Sequence, residues 1–159
     1  MTRLATACIV SLVALPIALS ETLVFDTVSK SRVEARVRQC LRKNAERAAT
    51  LKTMFEETGC QVTEQVVKGV KIPNVICTLP GTTDSVILVG AHTDHTSNGL
   101  GVIDDWSGAA LLPSLYESLR NKPRLHTYVF IGFSEEESGL KGSGYYAKGR
   151  LENNNSLLM

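Results

Sequence analysis

Ser85-Val86-Ile87-Leu88-Val89-Gly90-Ala91-His92-Thr93-Asp94-His95 runs from an unbroken apolar stretch straight into two histidines and an acid. Its first half has the composition of a buried strand. Its second half sets metal- and proton-binding side chains where that strand ends, and ligands in open α/β sheets gather at the carboxyl ends of strands. The transition recurs downstream, where Tyr128-Val129-Phe130-Ile131 lies in a strand pattern over 127–133 and SEEESGLKGS then brings Glu135, Glu136 and Glu137. Between the two, GVIDDWSG puts Asp104 and Asp105 in a glycine-flanked loop ahead of helical spacing over 107–119.

Upstream of that block, Val33, Val37, Cys40, Leu41, Ala45, Ala48, Leu51, Met54 and Phe55 follow a three- and four-residue spacing. It predicts one amphipathic helix over 29–57, capped by Ser29 or Ser31 and ended by Gly59. β-rich runs over 61–67, 74–79 and 85–91 come next, with Pro80-Gly81 turning the chain between the last two. A further helix is expected to begin over 142–149, and Asn153-Asn154-Asn155-Ser156 is polar enough to predict a frayed end. Alternating strand and helix in the second half implies a partly parallel sheet with helices packed on it.

The donor types fit one kind of chemistry. A divalent ion such as zinc accepts imidazole nitrogen and carboxylate oxygen and keeps a position open for water in a catalytic site. His92, Asp104 and Glu137 supply those donors. A carboxylate set between two ions about 3.5–4 Å apart can hold both, and Asp104 is the candidate bridge. Glu136, beside Glu137 and not itself a ligand, suits a general base that takes a proton from water and returns it to a leaving amine. Asp94 is placed to accept a hydrogen bond from the second ring nitrogen of His92 and fix its tautomer.

GAHTDH, DDWSG and EEESGLKGS, in that order and spacing, resemble metallopeptidase family M28, the co-catalytic zinc aminopeptidases of secreted type, over roughly residues 30 to 148. The resemblance implies an α/β three-layer sandwich with a mixed, partly parallel sheet. It also implies two zinc ions, with His92 on one, Asp104 bridging, Glu137 on the other, Glu136 as base and Asp94 orienting His92. The implied activity is that of a zinc-dependent exopeptidase, foremost an aminopeptidase, cleaving peptide bonds with metal-activated water. A glutaminyl cyclase-like zinc acyltransferase and a non-catalytic binding domain of the same fold are the alternatives. The resemblance further implies a later acidic ligand and a later histidine that do not occur before Met159. Residues 21–159 are therefore expected to be the N-terminal part of a truncated zinc peptidase domain, incomplete at its C-terminus and inactive by itself.

Composition narrows the partners. With 17 Lys and Arg against 16 Asp and Glu, the net charge is +1, which argues against nucleic acid and leaves a peptide or protein substrate. Residues 1–20 carry Arg3, an apolar core and the small-residue ending Ala18-Leu19-Ser20, the pattern of a cleaved secretory signal peptide. A secreted or periplasmic location without stable membrane association follows, and Cys8, inside the apolar core, lacks the leucine three positions earlier that a lipoprotein anchor would favour. Cys40, Cys60 and Cys77 remain, an odd number for an oxidising compartment. Either a Cys40–Cys60 bridge or three buried thiols fits them.

Blander roles compete for the other polar residues. Asp105 is expected to serve the helix that follows it through capping or its dipole. His95 and His126 are expected to be structural or surface groups, and Trp106 either core or pocket wall.

Overall fold

The computed structural model describes residues 22–156, so the signal peptide expected over 1–20 and its Cys8 lie outside the described residues. Helices α1 (Lys30–Val37) and α2 (Asn44–Glu57) lead into strands β1 (Val62–Gln65), β2 (Asn74–Leu79) and β3 (Val86–His92). Helix α3 (Ser107–Leu119), strand β4 (Thr127–Phe133) and helix α4 (Lys141–Ser156) follow.

The single helix expected over 29–57 is two helices. Ser29 does cap the first, its side chain accepting the Arg32 N–H at 3.3 Å. Residues 38–43 contain neither Gly nor Pro, so the break comes from tertiary contacts. α1 lies along α3, where Arg36 donates to Ser114 at 2.6 Å and to Glu117 at 2.8 Å. α2 turns away to bury Leu51, Met54 and Phe55 completely or nearly so. Each such side chain contributes roughly 1.5–3 kcal/mol, against about 1 kcal/mol for each backbone hydrogen bond forgone at the break. Packing wins.

The sheet has the order β1-β2-β4-β3, antiparallel except for the parallel pair β3 and β4. Side chains alternate across it. Val75, Cys77 and Leu79 of β2, with Tyr128 and Phe130 of β4, join α2 and α3 in the core. Phe133, of opposite parity, meets Tyr146 of α4 with ring centroids 6.2 Å apart. Helices thus cover both faces of a mixed sheet, giving the three layers. α4 keeps helical backbone through Ser156, where the polar Asn run had suggested fraying. Among the described residues β3 is an edge strand, with Ile87 and Leu88 exposed.

Cys60 and Cys77 form the disulfide, tying the chain entering β1 to β2, and Cys40 is free. The Cys40–Cys60 bridge is therefore not formed: Cys77 lies directly across the β1–β2 ladder from Val62, near Cys60, while Cys40 falls in the break between the helices. No helix among the described residues is long and apolar enough to cross a membrane.

Candidate metal centre

Parallel pairing of β3 with β4 sets His92 opposite Phe133, so the two carboxyl ends open side by side. The Thr93 N–H donates to the Phe133 carbonyl at 2.9 Å, extending the pairing into the loops. From the third direction comes a wide turn, Val102–Trp106, closed by the Trp106 N–H on the Gly101 carbonyl at 3.0 Å. Gly101 has a φ of +50°, and a Cβ there would sit 2.5 Å from the Asp104 carbonyl oxygen. The Asp104–Asp105 peptide bond is cis.

These three segments bring one nitrogen of His92 and one oxygen each of Asp104 and Glu137 within 4.8 Å of one another. His92 Nε2 lies 3.0 Å from Asp104 Oδ1 and 3.9 Å from Glu136 Oε2. His92 is buried, whereas Asp104 and Glu137 are open to solvent. Burial disfavours the charged imidazole of His92, but the Asp104 carboxylate, the Asp94 carbonyl and the charges of Asp94 and Asp105 outweigh it and raise its pKa above the ordinary histidine value.

Asp94 is buried, and its contacts differ from those the sequence suggests. His92 Nδ1 lies 3.1 Å from the main-chain carbonyl of Asp94 and 3.6 Å from its carboxylate. The carboxylate instead accepts the Glu136 N–H at 3.0 Å and the Glu137 N–H at 3.1 Å. Two amide donors hold a carboxylate better than one ring N–H at longer range. Asp94 thereby fixes the histidine through its backbone and the glutamate loop through its side chain. Glu135, with φ +53°, makes the bend that points those amides inward, a left-handed conformation costing about 1–2 kcal/mol in a residue with a Cβ.

Asp105 makes no side-chain cap on α3. Its Oδ2 accepts the His92 N–H at 3.3 Å, bracing the β3 end from the Asp104 side, which corrects the capping role. Trp106 is core: it is fully buried, and its indole N–H donates to the Val37 carbonyl at 2.9 Å. His95 presents its ring nitrogens to the carbonyls of Thr96 and Arg42, at 2.5 and 2.7 Å. His126 contacts Ser85 at the other end of the sheet.

Two supporting residues escape the sequence reading. Buried Asn74 accepts the Ser134 N–H and donates to the Gly142 carbonyl, both at 2.9 Å, pinning both ends of the glutamate loop. Buried Arg47 reaches the Thr93 carbonyl at 3.1 Å and the Gly101 carbonyl at 3.2 Å. The only signal for Arg47 is its spacing, since 44, 47, 51 and 54 fall on one stripe of α2.

The donor set fits zinc. Nitrogen and oxygen ligands lie about 2.0–2.2 Å from that ion, so two donors on one ion are at most about 4.4 Å apart. Atoms within 4.8 Å of one another close on one ion with a small shift, or span a bridged pair about 3.5–4 Å apart. A divalent cation would also relieve the repulsion among Asp104, Asp105, Glu136 and Glu137.

A model of the family described as Peptidase family M28 matches residues 74–158, more than half of the chain. Aminopeptidase Y of Saccharomyces cerevisiae is 32% identical over 94 residues, which are 58% of this chain and 18% of that protein. Among solved structures, aminopeptidase PepT of Bacillus cereus superposes with a TM-score of 0.57 and 26% identity, over 74% of this chain and 39% of its own. The LapA aminopeptidase of Legionella pneumophila gives a TM-score of 0.60 over 86% of this chain and 46% of its own; at 19% identity that likeness is one of fold. The chain spans about a fifth of the length of the curated relatives it matches.

Proposed function

The chain belongs to peptidase family M28, and from that membership we propose that it serves a zinc-dependent exopeptidase, foremost an aminopeptidase, acting on peptides outside the cytoplasm. The observation that carries this reading is the convergence of His92, Asp104 and Glu137 donor atoms within 4.8 Å. When bound, zinc would supply an acidified water and polarise the scissile carbonyl. For two ions, His92 with Asp104 and Asp104 with Glu137 give each ion two donors, and catalytic zinc normally takes three protein ligands, so each ion needs a further donor beyond these residues.

The chain's own groups then divide the work. Glu136, with Oε2 3.9 Å from His92 Nε2, takes the proton of the attacking water and hands it to the departing amine. His92 keeps its Nδ1–H on the Asp94 carbonyl, so that Nε2 is left as the ligand atom. Asp94 holds Glu136 and Glu137 by their amides. The exposure of Asp104 and Glu137 leaves water and a peptide end free access.

The test is to strip the full protein with a chelator and assay it on unblocked peptides with and without added zinc. Zinc-restored release of the N-terminal residue is expected. Cyclisation of N-terminal Gln without cleavage would favour the glutaminyl cyclase-like alternative, and tight zinc binding with no turnover on any peptide would leave a binding domain.

A further inference from the structure

We propose that Arg47 is a positioning residue for the metal site, setting the separation of His92 from Asp104 by clamping the loop that follows the His92 strand to the turn that carries Asp104. The inference rests on the reading of His92, Asp104 and Glu137 as ligands.

Arg47 is fully buried on α2, on the side of the sheet away from α4. Its Nη1 donates to the Thr93 carbonyl at 3.1 Å, in the peptide that joins Thr93 to Asp94. Its Nη2 donates to the Gly101 carbonyl at 3.2 Å and to that of Leu100, and lies 2.9 Å from the Cys40 sulfur. Gly101 closes the turn that presents Asp104. The guanidinium also sits over the Trp106 ring, 5.3 Å from its centroid. One planar group thus touches the loop after β3, the start of the Asp104 turn and the end of that turn.

Burying a cation costs several kcal/mol unless it is well compensated. Among the described residues the partners of Arg47 are carbonyls, a thiol and an aromatic face, with no carboxylate, and its Nε has no partner. An apolar side chain of similar length would fill the space beside Leu51 without burying a charge, but it would take this donor away from the buried Thr93 carbonyl. An arginine does what the apolar side chain cannot: its donors are fixed in a rigid fork, so carbonyls from two separate loops are held at a set spacing. The loop geometry and the cation are matched. A lysine, with one rotatable point charge, would keep the charge without reproducing the fork.

The experiment uses the full protein with Arg47→Lys and Arg47→Met, metal-free and folded by circular dichroism, at a temperature well below their melting points. Zinc affinity is measured by chelator competition, and ligand geometry by the visible absorption spectrum of the cobalt-substituted protein. A role in packing would lower the melting temperature while leaving both readouts of the folded protein alone. The expected result is zinc bound about 10- to 100-fold more weakly by the Lys variant, the range typical of groups that orient metal ligands, together with a shifted cobalt spectrum. If the Met variant does not fold, the Lys variant decides. A Lys variant that fails to fold, or that binds zinc within about twofold of wild type with an unchanged spectrum, overturns the proposal. Wild-type protein that takes up no zinc would remove the metal-site reading itself, an outcome distinct from equal binding by wild type and variant.

Discussion

Asp94 holds Glu136 by its main chain: Oδ1 of the buried aspartate accepts the Glu136 N–H at 3.0 Å, and Oδ2 takes the neighbouring Glu137 N–H at 3.1 Å. One carboxylate thereby joins the loop after β3 to the loop after β4. Asp94→Asn keeps the shape but turns an NH2 group toward one of those amides. Zinc affinity should fall about 10- to 100-fold, with a loss of stability of about 1–3 kcal/mol from the unpaired amide. Calorimetric zinc titration and urea denaturation measure the two effects. An Asn variant equal to wild type in both would reduce Asp94 to a spectator.

Glu136→Gln should leave zinc content unchanged while lowering kcat about 10²–10⁴-fold, the usual worth of general-base help. Metal analysis paired with steady-state kinetics separates this from a ligand role. Zinc lost in proportion to activity would make Glu136 a ligand and require another base.

Glu117 offers a pH prediction away from the metal site. Its burial favours the neutral acid, but Arg36 and Arg32 outweigh it and lower its pKa below the ordinary carboxylate value. A depressed folded pKa stabilises the fold above the unfolded value of about 4.3, and that contribution disappears as pH falls through the folded pKa. The melting-temperature gap between wild type and Glu117→Gln should therefore be widest near neutrality and close below about pH 4. A gap independent of pH would mean that the α1–α3 ion pairs contribute nothing net.

Much of this was legible in the sequence because short-range patterns decide it. An apolar run sets β3 and β4, glycines flank the Asp104 turn, and residues after parallel strands must share one end of the sheet, so His92, Asp104 and Glu137 meet there. What the sequence did not reveal depends on distant partners. Nothing in residues 38–43 signals a helix break, which Glu117 and Ser114 impose from α3 through Arg36. Asp94 looks like a partner for the His92 ring at two-residue spacing, yet amides 42 and 43 positions away claim its carboxylate. Pairing of Cys60 with Cys77 follows from β1–β2 registry, which spacing alone does not specify.

Without reductant, alkylation followed by peptide mapping should label Cys40 and spare Cys60 and Cys77. Replacing Cys60 and Cys77 together by serine should cost about 3 kcal/mol, the value for closing a loop of about 15 residues, near the separation of 17 seen here. Labelling at Cys77 of the folded, unreduced protein would contradict the assignment.

The most direct measurement is anomalous scattering at the zinc edge from crystals of the full protein grown with zinc. A peak is expected about 2.0–2.2 Å from Nε2 of His92 and from a carboxylate oxygen of Asp104, with Glu137 on the same ion or on a second peak about 3.5–4 Å away. Strong zinc peaks elsewhere, with His92 and Asp104 still paired to each other as they are here at 3.0 Å, would contradict the metal centre and the hydrolytic function built on it.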